Sequence, residues 1–453
     1  MNQSNLSRRQ LLKGIGLGMG ALAVAACAPG AVPGAAPASS GSAAESAPAK
    51  EKTTVVLWSS FTGKNGEAET EVVKRFGEAN PDITLDYQFQ GSYEETAQKV
   101  TAALQARTAP DISLMSDVWW FKFYLNQVIL PLDDLMTAAN VDLKDYQDSL
   151  INEGLRQDKH WWVPFARSTP LFYYNKEMWS AAGLPDRGPE TWDEFMEWAP
   201  KLLKMEGEEM KVAAFSHPDG ASYIAWLFQG VAWQFGGKYS DPDFTMHMTD
   251  EKTIGAGQFY KDTVHTYKWA RPAKDVQADF INGLTAASMM STGSMGGVKA
   301  NAKFEFGTAF LPKKEQFGCC TGGAGLAMLS TIAEDKQQAA MSYIAFASSP
   351  EITTFWAQNT GYMPVRKSAL ESKAMQDYFV EFPQFKTATE QLALTNPQDS
   401  ARVFVPNGDQ IIGKGLERIT VQADDVAAAF ADVQATLDTE AKPVIEALKA
   451  VEG

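Results

Sequence analysis

Four histidines, His160, His217, His247 and His265, are the side chains of this sequence best suited to moving protons near neutrality. They are scattered, and none falls in a metal-ligand spacing such as HExxH. Ser294 stands in Thr-Gly-Ser-Met-Gly, which lacks the first glycine of a nucleophile elbow. No P-loop and no GxGxxG is present. Isolated Asp and Glu residues are many, but sequence alone does not pair them. The chain therefore offers no catalytic residue, no metal set and no cofactor motif, and a secreted hydrolase is the enzyme alternative. Binding chemistry has more to work with. Twelve tryptophans and thirteen tyrosines are present, several of them beside Gly and Ser. Aromatic faces with carboxylates hold sugars and polyols; Arg, Ser hydroxyls and N–H groups at helix starts hold anions. The ordinary reading of any single Trp or Tyr is a core or rim residue.

The first fifty residues read as an address. Ser7-Arg8-Arg9-Gln10-Leu11-Leu12-Lys13 forms a twin-arginine export signal, and a weakly apolar run from Ile15 to Ala26 follows it. That run is too short for a membrane span. It ends at Val24-Ala25-Ala26-Cys27, a small-residue cleavage site with cysteine in the acceptor position, so Cys27 is expected to carry a lipid. The stretch 28–50 is almost wholly Ala, Pro, Gly and Ser, which cannot bury a core and suits a flexible tether. The expectation is a signal over 1–26, a lipidated cysteine and linker over 27–52, and a folded part held outside the cytoplasm on a membrane surface. Removal of residues 1–26, which hold Arg8, Arg9 and Lys13 and no acid, takes the formal charge from -15 to -18. So acidic a surface argues against nucleic acid as a partner, yet leaves an anionic small ligand open. Cys319 and Cys320 are adjacent, which disfavours a structural disulfide. About 400 residues at 45% hydrophobic content can hold together by burial, most simply as two domains.

The elements that would position a site follow from periodicity. Thr53 to Trp58 is an apolar, β-branched strand, and Ala68, Val72, Val73 and Phe76 recur at helical spacing until Asn80-Pro81 stops them. Ile83 to Phe89 alternates as a second strand. Ser92 and Glu95 form a capping box for a helix lined by Ala97, Val100 and Leu104. Asp111 to Met115 is the third strand, and this βαβαβ start implies a parallel sheet wrapped by helices. Trp161 to Phe165 and Leu171 to Tyr174 read as strands separated by 166–170. Thr191 and Glu194 form a second capping box. Ala287–Met290, Gly307–Leu311 and Leu326–Leu329 are further strand candidates, and Val426, Phe430, Val433 and Leu437 mark a long last helix.

Several segments, in order, resemble one family. They are Gly-Ser-Tyr-Glu-Glu-Thr-Ala-Gln-Lys (91–99), Ser-Asp-Val-Trp-Trp-Phe (116–121) and Arg-Ser-Thr-Pro-Leu-Phe-Tyr-Tyr-Asn-Lys (167–176). Ser-Thr-Gly-Ser (291–294), Thr-Gly-Gly-Ala-Gly (321–325), Thr-Gly-Tyr-Met-Pro-Val-Arg (360–366) and Ala-Arg-Val-Phe (401–404) complete the set. The chain resembles the extracellular solute-binding proteins of ABC importers, in the oligosaccharide and polyol group. Within that group it is similar to glycerol-3-phosphate and glycerophosphodiester binders. The resemblance implies an α/β clamshell of two lobes, each a mainly parallel sheet flanked by helices, which closes over its ligand. By analogy one lobe combines 53–166 with 309–350 and the other 167–308 with 351–453. The implied partners are a phosphate-ester ligand and the importer's membrane subunits, with the binder itself a monomer and not an enzyme.

Carried over by motif, the ligand residues are Tyr93, Asp117, Ser168, Ser291, Gly323, Tyr362 and Arg402, with Tyr223 added from a less securely aligned segment. Arg402 can grip a phosphate, the serines and tyrosines donate O–H groups, Gly323 lets backbone approach, and Asp117 accepts from glycerol hydroxyls. Each has a plainer reading. Ser168 could begin a turn before Pro170, Arg402 could be a surface ion pair, Asp117 could cap a helix, Ser291 could be a loop residue and Tyr93 could pack on its own helix. Two departures stand out. Enterobacterial relatives have glutamate where Asp117 stands, and tryptophans at the places aligned with Gly220 and Tyr223, so the glycerol end of the pocket is expected to be enlarged. A neutral oligosaccharide is the alternative ligand, and a structural surface lipoprotein without a ligand is the alternative outside binding.

Overall fold

A computed structural model describes residues 52–220 and 223–453. The export segment, Cys27 and the tether lie outside the described residues, as do Ala221 and Ser222. Two mixed sheets organise the rest. The first runs in the order Ile83–Phe89, Thr53–Ser59, Ile112–Ser116, Gly322–Met328, Val163–Ser168. The second runs Ala270–Ala273, Glu209–Pro218, Thr285–Ser291, Pro170–Asn175, Phe306–Ala309, with Lys204–Glu206 paired to Glu209–Pro218.

Local sequence explains most elements. The edge strand Ile83–Phe89 alternates in burial, whereas Ile112–Ser116, in the middle of its sheet, is buried along its whole length. Ala68, Val72 and Phe76 bury the inner face of the helix Gly63–Ala79. The capping box at Ser92 forms in full: its Oγ accepts from Glu95 N at 3.2 Å, and Glu95 Oε2 accepts from Ser92 N at 2.8 Å. The second box is half made. Thr191 Oγ1 accepts from Glu194 N, but the Glu194 carboxylate turns instead to Glu190 N and the Arg187 guanidinium. Val426, Phe430, Val433 and Leu437 line the buried face of the last helix, Val426–Glu452.

Two expectations need correction. The sheets are not mainly parallel. Thr53–Ser59 pairs in parallel with both its neighbours, but Gly322–Met328 runs antiparallel to Ile112–Ser116 and to Val163–Ser168. The second sheet repeats the pattern, parallel around Glu209–Pro218 apart from its pairing with Lys204–Glu206, and antiparallel around Pro170–Asn175. In each sheet the strand by which the chain enters from the other sheet, Gly322–Met328 in the first and Pro170–Asn175 in the second, runs opposite to both its neighbours. The segment 166–170 is not a loop either. Ala166, Arg167 and Ser168 pair with Ala324, Gly323 and Gly322, Pro170 pairs with Ser291, and Thr169 alone separates the two sheets. Thr169 is fully buried, its carbonyl accepting from Thr292 N at 3.1 Å.

Candidate functional site

In parallel α/β sheets, ligands gather at the carboxyl ends of the strands, where loops and helix starts converge. Here both sheets turn those ends toward each other. Asn65 follows the strand Thr53–Ser59; Ser92 and Tyr93 follow Ile83–Phe89; Ser116 and Asp117 end Ile112–Ser116. From the other sheet come Tyr223 after Glu209–Pro218, Gln277 after Ala270–Ala273 and Ser291 at the end of Thr285–Ser291. Ser168 and Gly323 are supplied by the antiparallel pair, and the cavity they line has a volume of about 460 Å³. All eight residues carried over from the sequence, Tyr93, Asp117, Ser168, Tyr223, Ser291, Gly323, Tyr362 and Arg402, line it.

Arg402 lies on the short helix Ser400–Val403 and is 5% exposed. Its Nε donates to Asp409 Oδ1 at 2.6 Å, and its Nη1 reaches Gln398 Oε1 and, at 3.5 Å, Asp117 Oδ2. Gln398 Nε2 donates to the same Asp117 oxygen at 2.6 Å. Burial acts to lower the Arg402 guanidinium, but Asp409 and Asp117 outweigh it and hold it above its ordinary value. Burial pushes the Asp409 carboxyl up, and Arg402 pulls it back only in part. The reading of Arg402 as a surface pair is therefore wrong, since the guanidinium is buried at the wall of the cavity. Asp117 does not cap a helix with its side chain; its N–H donates to Gly323 O at 3.0 Å, and its carboxylate belongs to the Arg402 cluster.

The phenols are held as donors. Burial raises Tyr93, with Tyr362 beside it adding to the shift, and burial likewise raises Tyr362 and Tyr223. Tyr362 stacks on the fully buried Trp356 with ring centroids 5.8 Å apart and planes at 9°. The Ser116 hydroxyl, buried at the cavity wall, has no hydrogen-bond partner within the chain. Gly323 is at φ +105°, and a Cβ there would come 2.1 Å from Ala166 O.

Gly220 behaves otherwise than expected. A side chain there would meet Glu417 and Gly413 on the helix Gly408–Thr420, so Gly220 fits against that helix and is not among the residues lining the cavity. Of the two aligned positions, Tyr223 alone stands at the cavity.

Sequence reasoning missed several wall residues. Trp119 and Trp226 line the cavity, the second fixed by its indole N–H donating to Thr321 O at 3.0 Å. Asp409 and Gln410 sit in the first turn of Gly408–Thr420, after Asn407 in the left-handed region, and that Asn-Gly-Asp turn was the one available local signal. Gln410 Nε2 reaches Glu94 Oε2 at 2.7 Å, and Asn65 Nδ2 reaches Gly293 O at 3.3 Å, both between the first sheet's side and the second's. The histidines are used locally: His160 with Asp133, His217 with Thr263, His247 with Asp241 and Asp250, His265 with Thr420 O. Ser294 does reach the cavity, but no histidine is among the described residues that line it. Among the described residues no group of three His, Cys, Asp or Glu side chains could hold a metal ion.

Comparison with known proteins places this geometry. The crystal structure of UgpB from Mycobacterium tuberculosis in complex with glycerophosphocholine is similar at 41% identity with a TM-score of 0.83, covering 87% of this chain and 100% of that one. The sn-glycerol-3-phosphate-binding periplasmic protein UgpB of Escherichia coli (strain K12) is 26% identical over 373 residues, 76% of this chain and 81% of its own. The GacH receptor of Streptomyces glaucescens, solved unliganded and with acarbose, shares the fold at 19% identity and a TM-score of 0.76, covering 87% of this chain and 99% of that one. No helix among the described residues is long and apolar enough to cross a membrane. Residues 71–383 match the family described as bacterial extracellular solute-binding protein, and the chain belongs to that family.

Proposed function

We propose that this chain is the substrate-binding component of an ABC importer and that its ligand is a glycerophosphodiester of the glycerophosphocholine kind, or sn-glycerol 3-phosphate. The observation that carries the ligand reading is Arg402, a buried guanidinium at the wall of a cavity that also holds several hydroxyl and phenol donors. A phosphate accepts from just such a set. Ser168, Ser291, the unpartnered Ser116 and the phenols of Tyr93, Tyr223 and Tyr362 are the proposed further donors, with Asp117 accepting from glycerol hydroxyls and Gly323 giving backbone access. The ligands named for the two UgpB relatives agree with this chemistry.

The capture step needs no bond making. Ligand touched by both sheets favours the closed arrangement by its differential affinity, and the importer reads that closure. The proposed lobes are those expected from the sequence, 53–166 with 309–350 and 167–308 with 351–453, except that Arg167 and Ser168 go with the first sheet and Ala309 with the second. The protein acts as a monomer tethered outside the cytoplasm through a lipid on Cys27 after twin-arginine export. Trp119 and Trp226 beside Glu94, Asp117 and Asp409 are also what a sugar site uses, so a neutral oligosaccharide is the second reading. A thermal-shift screen separates them. Ligand at about a hundred times its Kd stabilises the native state by about 2.7 kcal/mol. Glycerophosphocholine or glycerol 3-phosphate should raise the melting temperature while maltose does not; a shift with maltose alone overturns the phosphate-ester reading.

A further inference from the structure

The cavity's charge does not match a highly anionic ligand. Arg402 is the one cation among the described residues that line it, against three carboxylates, Glu94, Asp117 and Asp409. Two of the three bear directly on Arg402, from different elements: Asp117 from the turn after Ile112–Ser116, and Asp409 from the first turn of Gly408–Thr420. Glu94, from the helix Tyr93–Ala106, is held by Gln410. The neighbouring Cys320 thiol is buried and pushed up to about 12, so it adds no charge. A guanidinium already facing two carboxylates has little attraction left for a second negative charge.

We infer that Asp409 is a specificity-determining residue: paired with Arg402 at the cavity wall, it leaves the site able to take a singly charged or zwitterionic phosphodiester and refuse a doubly charged phosphomonoester. The inference rests on the phosphate-ester reading above. A diester keeps one negative charge at any ordinary pH, whereas a monoester gains its second with a pKa of about 6. The two ligand classes share the phosphate and the glycerol and differ in the charge presented to Arg402. Asp409 reads that difference by repulsion, since its carboxylate would face the extra charge across the same guanidinium. The diester's cationic headgroup, where it has one, meets a cavity with carboxylates to spare.

Calorimetric titration of glycerophosphocholine and glycerol 3-phosphate into the wild-type protein and Asp409→Asn at pH 7.5 tests this. The wild type should prefer the diester at least tenfold, or about 1.4 kcal/mol. Asp409→Asn should shrink that ratio at least tenfold, chiefly by gaining affinity for the monoester, and Asp409→Glu should keep it. The wild type alone offers a second reading that does not depend on a variant folding. Between pH 7.5 and 5.5 the monoester should bind more tightly as it loses its second charge, while the diester changes less. A ratio equal in wild type and Asp409→Asn, or a monoester affinity flat with pH, overturns the role of Asp409 while leaving the ligand class standing. Failure of both esters to bind the wild type overturns the ligand reading and this inference together.

Discussion

Arg402 illustrates how a buried charge is made tolerable: Asp409 and Asp117 compensate it, and Gln398 ties the cluster together. Removing the guanidinium would leave two carboxylates unpaired at the place where the phosphate is proposed to bind. Arg402→Ala should therefore weaken glycerophosphocholine at least tenfold, the value of a single charge-assisted hydrogen bond at about 1.5 kcal/mol. Titration calorimetry reads it, and near-native affinity would remove Arg402 from the site. A second buried carboxyl has a different consequence. Glu69, fully buried on the helix Gly63–Ala79, accepts from Ser59 Oγ and Tyr87 OH, and burial pushes it up to about 7. A carboxyl raised in the folded state binds its proton more tightly there than in the unfolded chain. Glu69 thus costs nothing below its unfolded value of 4.5 and progressively destabilises the fold as pH climbs to about 7. Glu69→Gln, which can still accept from both hydroxyls, should be the more stable protein at pH 8, by on the order of 2–3 kcal/mol. Its advantage should vanish near pH 4. Urea melts at the two pH values measure this, and an equal gain at both would contradict the shift.

At the scale of elements, legibility follows the range of the interaction that makes each one. The capping box at Ser92 and the stripe Val426, Phe430, Val433, Leu437 are local and were legible. Arg167 and Ser168 were not. Polar and next to Pro170, they read as loop, and they become strand only because Gly323 and Gly322, some 155 residues away, pair with them. The site's acid is hidden for a different reason: the Asn-Gly-Asp turn marks a helix start but assigns Asp409 no role, and its role comes from Arg402 seven residues back across that turn. Seven of the cavity-lining residues were reached through motifs and Tyr223 through a looser alignment, whereas Gly220, from that same segment, misled because alignment carries no direction for a side chain. Gly323 holds this long-range pairing in place. Alanine there would be forced into a positive-φ conformation that L side chains rarely adopt, costing about 1–3 kcal/mol in strain. Its methyl would also press on Ala166 O. Gly323→Ala should lower the melting temperature and, by parting Gly322–Met328 from Val163–Ser168, weaken ester binding too. A variant as stable as the wild type would contradict the φ of +105° assigned to Gly323.

For the whole molecule, two sheets joined through the buried Thr169 face each other across the candidate cavity, and side chains already meet across it, Gln410 with Glu94 and Asn65 with Gly293 O. The last helix adds a contact of its own, Glu452 accepting from Tyr124 OH and from Arg156 beside the first sheet. Anchoring belongs to this scale as well. If Cys27 carries the lipid, Cys27→Ala should move the mature protein from the membrane pellet to the soluble fraction. A variant that stays with membranes through a high-salt wash would contradict the anchor. Capture of a phosphodiester by closure of two lobes is read out by small-angle X-ray scattering of the protein with and without saturating glycerophosphocholine. The radius of gyration should be smaller with the ligand, in keeping with the side-chain contacts across the cleft. An unchanged radius at saturation would contradict it.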